Sequence, residues 1–423
     1  MASGPLAGIR VLEFTQIIAG PFACMMLADQ GAEVIKVEPP GGEPWRIYGP
    51  FMPLESKVFQ SLNRGKDSLV LSAQDVRAQE IVHRLIPNVD VVVINYRPDV
   101  AKRLNIDYDT LRAIKPDLIY VDITAFGRKG PWAPKPGYDI VVQAVTGLMA
   151  ADAKLGPGGK PEVVTATAVA DYATGLTVAW AVTSALFHRE RTGEGQLVEA
   201  SLMATALAVQ GSAVMELPVA DEVLRNRLRD KRKEIQSQGA TYEEMLAVSR
   251  TQRQAPNIYY RTYRTKDGAI AVGALSPSLW AKVRKALETE FLGQADPNYD
   301  VMNPEYVAWA TEQVAAIEEH VVSQPTDYWI ARFEENGVPV GPVLFADEMS
   351  THPQVVANEY MVELEHELSG PQQMVAPILK FHGSPMAAET ASPVLGKHTH
   401  KWLEFAGYTE DEIATLYADG VVG

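Results

Sequence analysis

The sequence predicts an α/β protein: a doubly wound parallel sheet in a large domain, joined by a smaller α+β domain. Two observations lead there. Through the first 130 residues, short continuous apolar runs alternate with helical patterns, as they do where a parallel sheet is covered on both faces. After residue 215 the texture changes to charged helices and a hairpin, and from Gly337 it returns to the earlier style.

Taken in order, Gly8–Phe14 (GIRVLEF) is the first strand and Pro21–Gln30 a helix ending at Gly31. Ala32–Glu38 (AEVIKVE) is the second strand, broken by Pro39-Pro40-Gly41-Gly42. Ser68–Ser72 reads as a third strand and Ala78–Leu85 as a helix. Asp90–Tyr96 (DVVVINY) is a buried strand, Pro98–Leu104 a helix opening on proline, and Asp117–Thr124 (DLIYVDIT) a further strand. A long helix over 167–190 opens near Asp171 and ends at the turn 191–195, followed by strand Gln196–Met203. Asp221–Arg253 is charged and helical, and Lys266-Asp267-Gly268 turns a hairpin within 259–275. Helical patterns over 279–292 and 304–335 complete the small domain. The expected division is a large domain over 1–215, a small one over 216–335, and a return to the large one over 336–423.

Composition excludes several function classes. Thirty-eight Lys+Arg against 53 Asp+Glu leave a net charge of −15, which argues against a general nucleic-acid binder. The single cysteine, Cys24, rules out a disulfide framework or a cysteine-based zinc site. Neither a signal peptide nor a membrane-spanning run is present, so a cytoplasmic protein is expected. No G-x-G-x-x-G, G-x-x-x-x-G-K-[ST] or G-x-S-x-G motif occurs, which excludes the common nucleotide and serine-hydrolase sites. His398-Thr399-His400 has no carboxylate at an obvious ligand spacing, so no metal is expected. The cations of Arg225–Lys233 are interleaved and flanked by acids, as on a solvated helix. Asp171, at the start of a long helix, is by its position alone equally suited to capping or to chemistry.

Eight blocks give a more specific indication. They include LAGIRVLEFTQIIAGPFACMMLADQGAEVIKVEPPGG (6–42), SLNRGKDSLVL (61–71), DVVVINYRPDVAKRLNIDYDTL (90–111) and FGRKGPWAPKPGYDIVVQAVTGLM (126–149). AVADYATGL (168–176), FHRERTGEGQLVEASL (187–202), GVPVGPV (337–343) and PVLGKHTHKWL (393–403) complete them. In content and order the chain resembles the family III CoA-transferases. That resemblance implies a Rossmann-like large domain, an interlocked homodimer, and no permanently bound cofactor, with coenzyme A or acyl-CoA as substrate beside a small carboxylic acid.

It also implies roles. Asp171 would be the nucleophile, forming an aspartyl anhydride and then an aspartyl-CoA thioester, with the helix N-terminus keeping it ionised. Tyr138 matches the histidine base of the related α-methylacyl-CoA racemases; an ordinary phenol is a poor base at neutral pH, which favours transfer. CoA would be held by Ile18, Ala19, Asn95, Tyr96, Arg97, Lys102, Arg103 and Lys135. Leu71 and Leu104 would form adenine walls, and Arg46 a further cation. Ile18 replaces a glutamine of formyl-CoA transferase, and the glycine-rich flap of that enzyme has no counterpart near 250–260. A racemase or epimerase, and a non-catalytic acyl-CoA-binding paralogue, remain the alternatives.

Overall fold

The computed structural model describes residues 4–222, 225–250, 256–301 and 303–423. The ends of the stretch Asp221–Arg253, and part of the stretch near 250–260, lie outside the described residues.

Six strands form one wholly parallel sheet: β1 (Arg10–Phe14), β2 (Glu33–Glu38), β3 (Lys66–Val70), β4 (Val91–Ile94), β5 (Ile119–Thr124) and β6 (Leu197–Ser201). Their order is β3-β2-β1-β4-β5-β6. The winding reverses between β1 and β4, and doubly wound sheets open their ligand crevice at the carboxyl ends of such strands. Alternate residues feed two cores. Leu12, Phe14, Ile35, Val92, Ile94 and Tyr120 pack against the helix Val76–Leu85 and against Trp402, Leu403, Ile413 and Leu416 near the carboxyl end. On the other face, Val11, Val34, Val91, Val93 and Val121 meet α1 (Ala19–Asp29) and a 24-residue helix, Val169–Thr192. The last residues also close the sheet edge: Leu71 bridges Val422, and the Thr399 hydroxyl donates to the Gly423 carbonyl at 2.7 Å.

One face of the sheet carries charge as well. Glu13 and Lys36 are directly opposite on β1 and β2, both fully buried, and form an ion pair of 3.1 Å. Lys36 also meets Glu43 at 3.0 Å, and Lys66 meets Glu13 at 2.8 Å. Burial pushes the Glu13 carboxyl up, but Lys36 and Lys66 outweigh it and hold the group at about 2.

The chain forms two compact units. The larger runs to Lys154 and includes Glu162–Met215 and His352–Gly423; the smaller comprises Leu155–Pro161 and Glu216–Thr351. The expected return to the large domain at 336 is therefore corrected to His352. Val340–Pro342 pairs antiparallel with Ala269–Gly273, so GVPVGPV supplies the third strand of the small unit's sheet. The Lys266-Asp267-Gly268 hairpin forms, joining Tyr260–Arg264 to Ala269–Gly273. The pattern over 304–335 is two helices, Pro304–Val322 and Thr326–Glu335, because Pro325 interrupts it. Strand 196–203 stops at Ser201, whose hydroxyl accepts from the Ala204 N–H and starts the helix Leu202–Ala208.

Arg46, expected as a cation for CoA, is corrected outright. It is wholly buried, its guanidinium forks onto Glu38 at 2.7 and 2.9 Å, pairs with Glu55 at 3.2 Å and covers the Phe59 ring. Its role is to neutralise carboxylates inside the fold. Arg46→Ala removes the cation that neutralises the buried Glu38 and Glu55, leaving them with hydrogen bonds from Ser68 and Gln60, and is expected to lower stability by about 3–5 kcal/mol in urea unfolding.

Candidate active site

A cleft of about 330 Å³ opens at the switch between β1 and β4. Its wall comes from the ends of three adjacent strands: Gln16, Ile17 and Ala19 after β1, Asn95 to Arg97 after β4, and Ile123 to Ala125 at the end of β5. Pro136, Gly137, Tyr138, Asp171, Val100 and Leu202 also line it. The sequence-predicted residues Asp171, Tyr138, Ala19, Asn95, Tyr96 and Arg97 are thereby brought together.

Asp171 is the third residue of the long helix, buried, and among the described residues no side chain hydrogen-bonds its carboxylate. It is not the N-cap: Ala168 holds that position, without a side-chain bond. The helix's first N–H groups are instead taken by Asp139. The Asp139 Oδ1 accepts from Ala170 N–H at 2.7 Å and from Asp171 N–H at 3.3 Å. The Gln143 side-chain Nε2 donates to the other Asp139 oxygen, and its side-chain Oε1 accepts from Val164 N–H at 3.0 Å.

This arrangement corrects the expectation that the helix end keeps Asp171 ionised. Burial first, and the neighbouring Asp139 charge second, push the Asp171 carboxyl up to about 7. The N–H groups that would have lowered it already serve Asp139. Two glycines let the parts approach. A Cβ on Gly175 would meet the Ala19 carbonyl oxygen and the Phe22 ring, each at 2.9 Å, so the close crossing of α1 and the long helix at this point requires a glycine. A Cβ on Gly137 would meet Ala125 at 2.6 Å and the Phe126 ring at 2.9 Å, so that residue lets Tyr138 reach the cleft. Tyr138 is 60% exposed and heads the helix Asp139–Val145 without capping it.

The remaining predicted residues fall into three groups. Asn95 is committed to the fold: its side-chain amide donates to the Gln16 carbonyl at 2.8 Å and accepts from the Gln16 N–H at 3.1 Å, tying β4 to β1. Tyr96 is half-buried, its ring edge-on to Phe14. Arg97, Lys102 and Arg103 are exposed; Arg97 pairs with Asp99, while Lys102 and Arg103 make no ion pair among the described residues. Leu71 and Leu104, expected as adenine walls, are corrected: both are deeply buried in the core and border, with Phe14 and Ala73, an apolar crevice of about 10 Å³, too small for an adenine ring. Lys135 lies exposed over the Trp132 ring at 4.1 Å, and Ile18 is half-buried at the start of α1, outside the cleft lining.

Sequence reading missed Asp139, Ile17 and Glu43. Asp139 was adjacent to a flagged tyrosine, but its partners lie 31 and 32 residues away. It also missed that the His400 ring lies 3.6 Å from Glu404 and 3.1 Å from Glu410. The premise that no carboxylate stands near these histidines is therefore corrected; the cluster is exposed and internally ion-paired.

A wholly parallel doubly wound sheet, with a buried aspartate at its switch point that no side chain among the described residues hydrogen-bonds, is a fold in which a ligand binds across the strand ends. The comparisons make this specific. A family model described as CoA-transferase family III matches residues 6–399, and the chain belongs to that family. Human succinyl-CoA:glutarate CoA-transferase is 32% identical over 421 residues, covering 99% of this chain and 90% of that protein. Acetyl-CoA:oxalate CoA-transferase of Acetobacter aceti is 32% identical over 362 residues, 85% of this chain and 86% of its own. The crystal structure of Rv3272 from Mycobacterium tuberculosis matches with a TM-score of 0.73 at 27% identity, over 95% of this chain and 100% of that one. Succinyl-CoA and acetyl-CoA are the thioesters in the names of the two transferases.

The raised Asp171 carboxyl makes a stability prediction. An acid whose folded value lies near 7 and whose unfolded value is about 3.8 costs stability progressively as pH rises between the two, and fully above them. Asp171→Asn lacks that cost. Its advantage over the wild type in urea unfolding is expected to grow by about 2–3 kcal/mol from pH 5 to pH 8.

Proposed function

We propose that this enzyme moves CoA from an acyl-CoA to a free carboxylic acid, with Asp171 as the nucleophile. The observation behind the reading is a buried carboxylate that no side chain among the described residues hydrogen-bonds, facing a cleft at the sheet's switch point. An Asp171 carboxylate oxygen attacks the thioester carbonyl, the C–S bond breaks, and CoA leaves as the thiolate, giving a mixed anhydride. The thiolate then attacks the aspartyl carbonyl and the donor acid departs as its carboxylate, leaving an aspartyl-CoA thioester. The acceptor carboxylate repeats the two steps in reverse. Carboxylate replaces carboxylate throughout, so each exchange is close to thermoneutral, and covalent catalysis divides one difficult displacement into easier ones.

The elevated proton affinity of Asp171 suits this work, because a more basic carboxylate is a better nucleophile once deprotonated. Tyr138, at the cleft and free of capping duty, would hydrogen-bond an acyl or carboxylate oxygen. The cations Lys102 and Arg103, which make no ion pair among the described residues, would meet CoA phosphates, with Arg97 and Lys135 beside the cleft. The relatives named for succinyl-CoA, glutarate and oxalate support small acids as the acceptor class.

The test is direct. The rate of CoA transfer should rise with pH with an apparent midpoint near 7, and Asp171→Ala should abolish transfer together with any CoA thioester trapped on the enzyme, as read by mass spectrometry. Transfer at the wild-type rate by Asp171→Ala overturns the covalent route. Exchange of the α-proton of an acyl-CoA in D₂O without CoA transfer would instead identify a racemase.

A homodimer, interlocked by threading each chain through the other, is part of the same proposal. Leu176, Trp180 and Phe187 recur along one face of the long helix and are 46%, 69% and 64% exposed, and Ile140 and Val145 are exposed on the helix Asp139–Val145. Large apolar side chains at this density suit a partner surface. Sedimentation velocity is expected to show a dimer for the wild type, and its loss in Leu176→Asp/Trp180→Asp.

A further inference from the structure

Six non-glycine residues among those described have positive φ, and Ile17 stands apart from the other five: it is β-branched, and it lines the cleft that contains Asp171. At φ +73° an isoleucine pays a steric cost that a glycine would not, since its branched Cβ crowds the backbone in the left-handed region. Its surroundings impose this conformation. The Ile17 N–H donates to the Glu43 Oε2 at 2.8 Å, and the other Glu43 oxygen is held by the buried Lys36 ammonium at 3.0 Å. The same ammonium donates to the Thr15 carbonyl at 2.9 Å, and Asn95 holds both backbone groups of Gln16. From Thr15 to Ile17 the chain is thus fixed from behind by side chains of two other strands and a loop. A backbone needing only this path would be served by glycine at no cost. The isoleucine side chain is what the conformation presents to the cleft.

We infer that Ile17 is a specificity-determining residue: a rigid aliphatic wall, locked by Glu43, that limits the size of the carboxylic acid or acyl group admitted to Asp171. This rests on the transfer reading given above. In a cleft of about 330 Å³ shared by both residues, a four-carbon branched side chain occupies space that a longer acid would need. Glu43 acts only as a positioning residue, through the Ile17 backbone.

The experiment compares the wild type, Ile17→Gly and Ile17→Val on unbranched dicarboxylic acids from oxalate to adipate with one acyl-CoA donor. Ile17→Gly is expected to shift the kcat/KM ratio of the longest to the shortest acid at least tenfold towards the longest, in line with what one or two methylenes contribute in an apolar pocket. Ile17→Val, which keeps the branch, should stay within about threefold of the wild type. The glycine variant should melt no lower than the wild type, because the left-handed conformation suits it. A ratio unchanged by Ile17→Gly overturns the inference, and a marked fall in its melting temperature overturns the claim that the side chain is carried at a conformational cost. If the wild type transfers CoA to none of these acids, the transfer reading fails. The same ratio, read as dissociation constants by calorimetry with CoA present, then decides the role of Ile17 separately.

Discussion

A set of ion pairs inside the sheet governs where everything else at the site sits. Glu13, Lys36, Lys66 and Glu43 meet at the carboxyl end of β1 and β2, two acids and two bases, with separations of 2.8–3.1 Å. Such a cluster is costly to assemble, because each charge must leave water, and it is kept only where the geometry is complete. Here completeness includes the backbone of the following loop, since Lys36 reaches the Thr15 carbonyl and Glu43 the Ile17 N–H. The charges therefore fix the cleft wall as well as the strands.

A second constraint is the crossing of α1 with the long helix. Their approach at Gly175 brings Asp171 to the same end of the sheet as the loop after β1. Asp139 then binds the helix's first N–H groups, which leaves the Asp171 carboxylate without those backbone donors and, among the described residues, without a hydrogen-bonding side chain. Two carboxylates at one helix end would ordinarily compete for its N–H groups. Here one has them and stabilises the fold, and the other is left basic and available. The division of roles follows from which side chain the backbone amides reach.

Much of the architecture was legible in the chain. The runs GIRVLEF, AEVIKVE, DVVVINY and DLIYVDIT are strands because both faces of each are buried, and the eight ordered blocks pointed to the family that the comparisons show. Less legible was anything depending on pairs distant in sequence. Val340–Pro342 looks like a strand of either unit until Ala269–Gly273 claims it. Arg46 looks like a phosphate-binding cation until Glu38 and Glu55 enclose it.

By itself the sequence determined the strands, the helix that carries Asp171 and the family, because these rest on local periodicity and on residues in a fixed order. Only the tertiary structure decided which charges are internal and which face the cleft. It also decided that Asp171 sits near neutrality on the proton scale and that Ile17 is forced into the left-handed region. Those properties depend on burial and on partners tens of residues away, and a linear pattern records neither. The same physics separates net charge from site charge: a surplus of −15 says nothing of where Lys102 and Arg103 stand exposed without an ion pair among the described residues, or where Arg46 is used up inside.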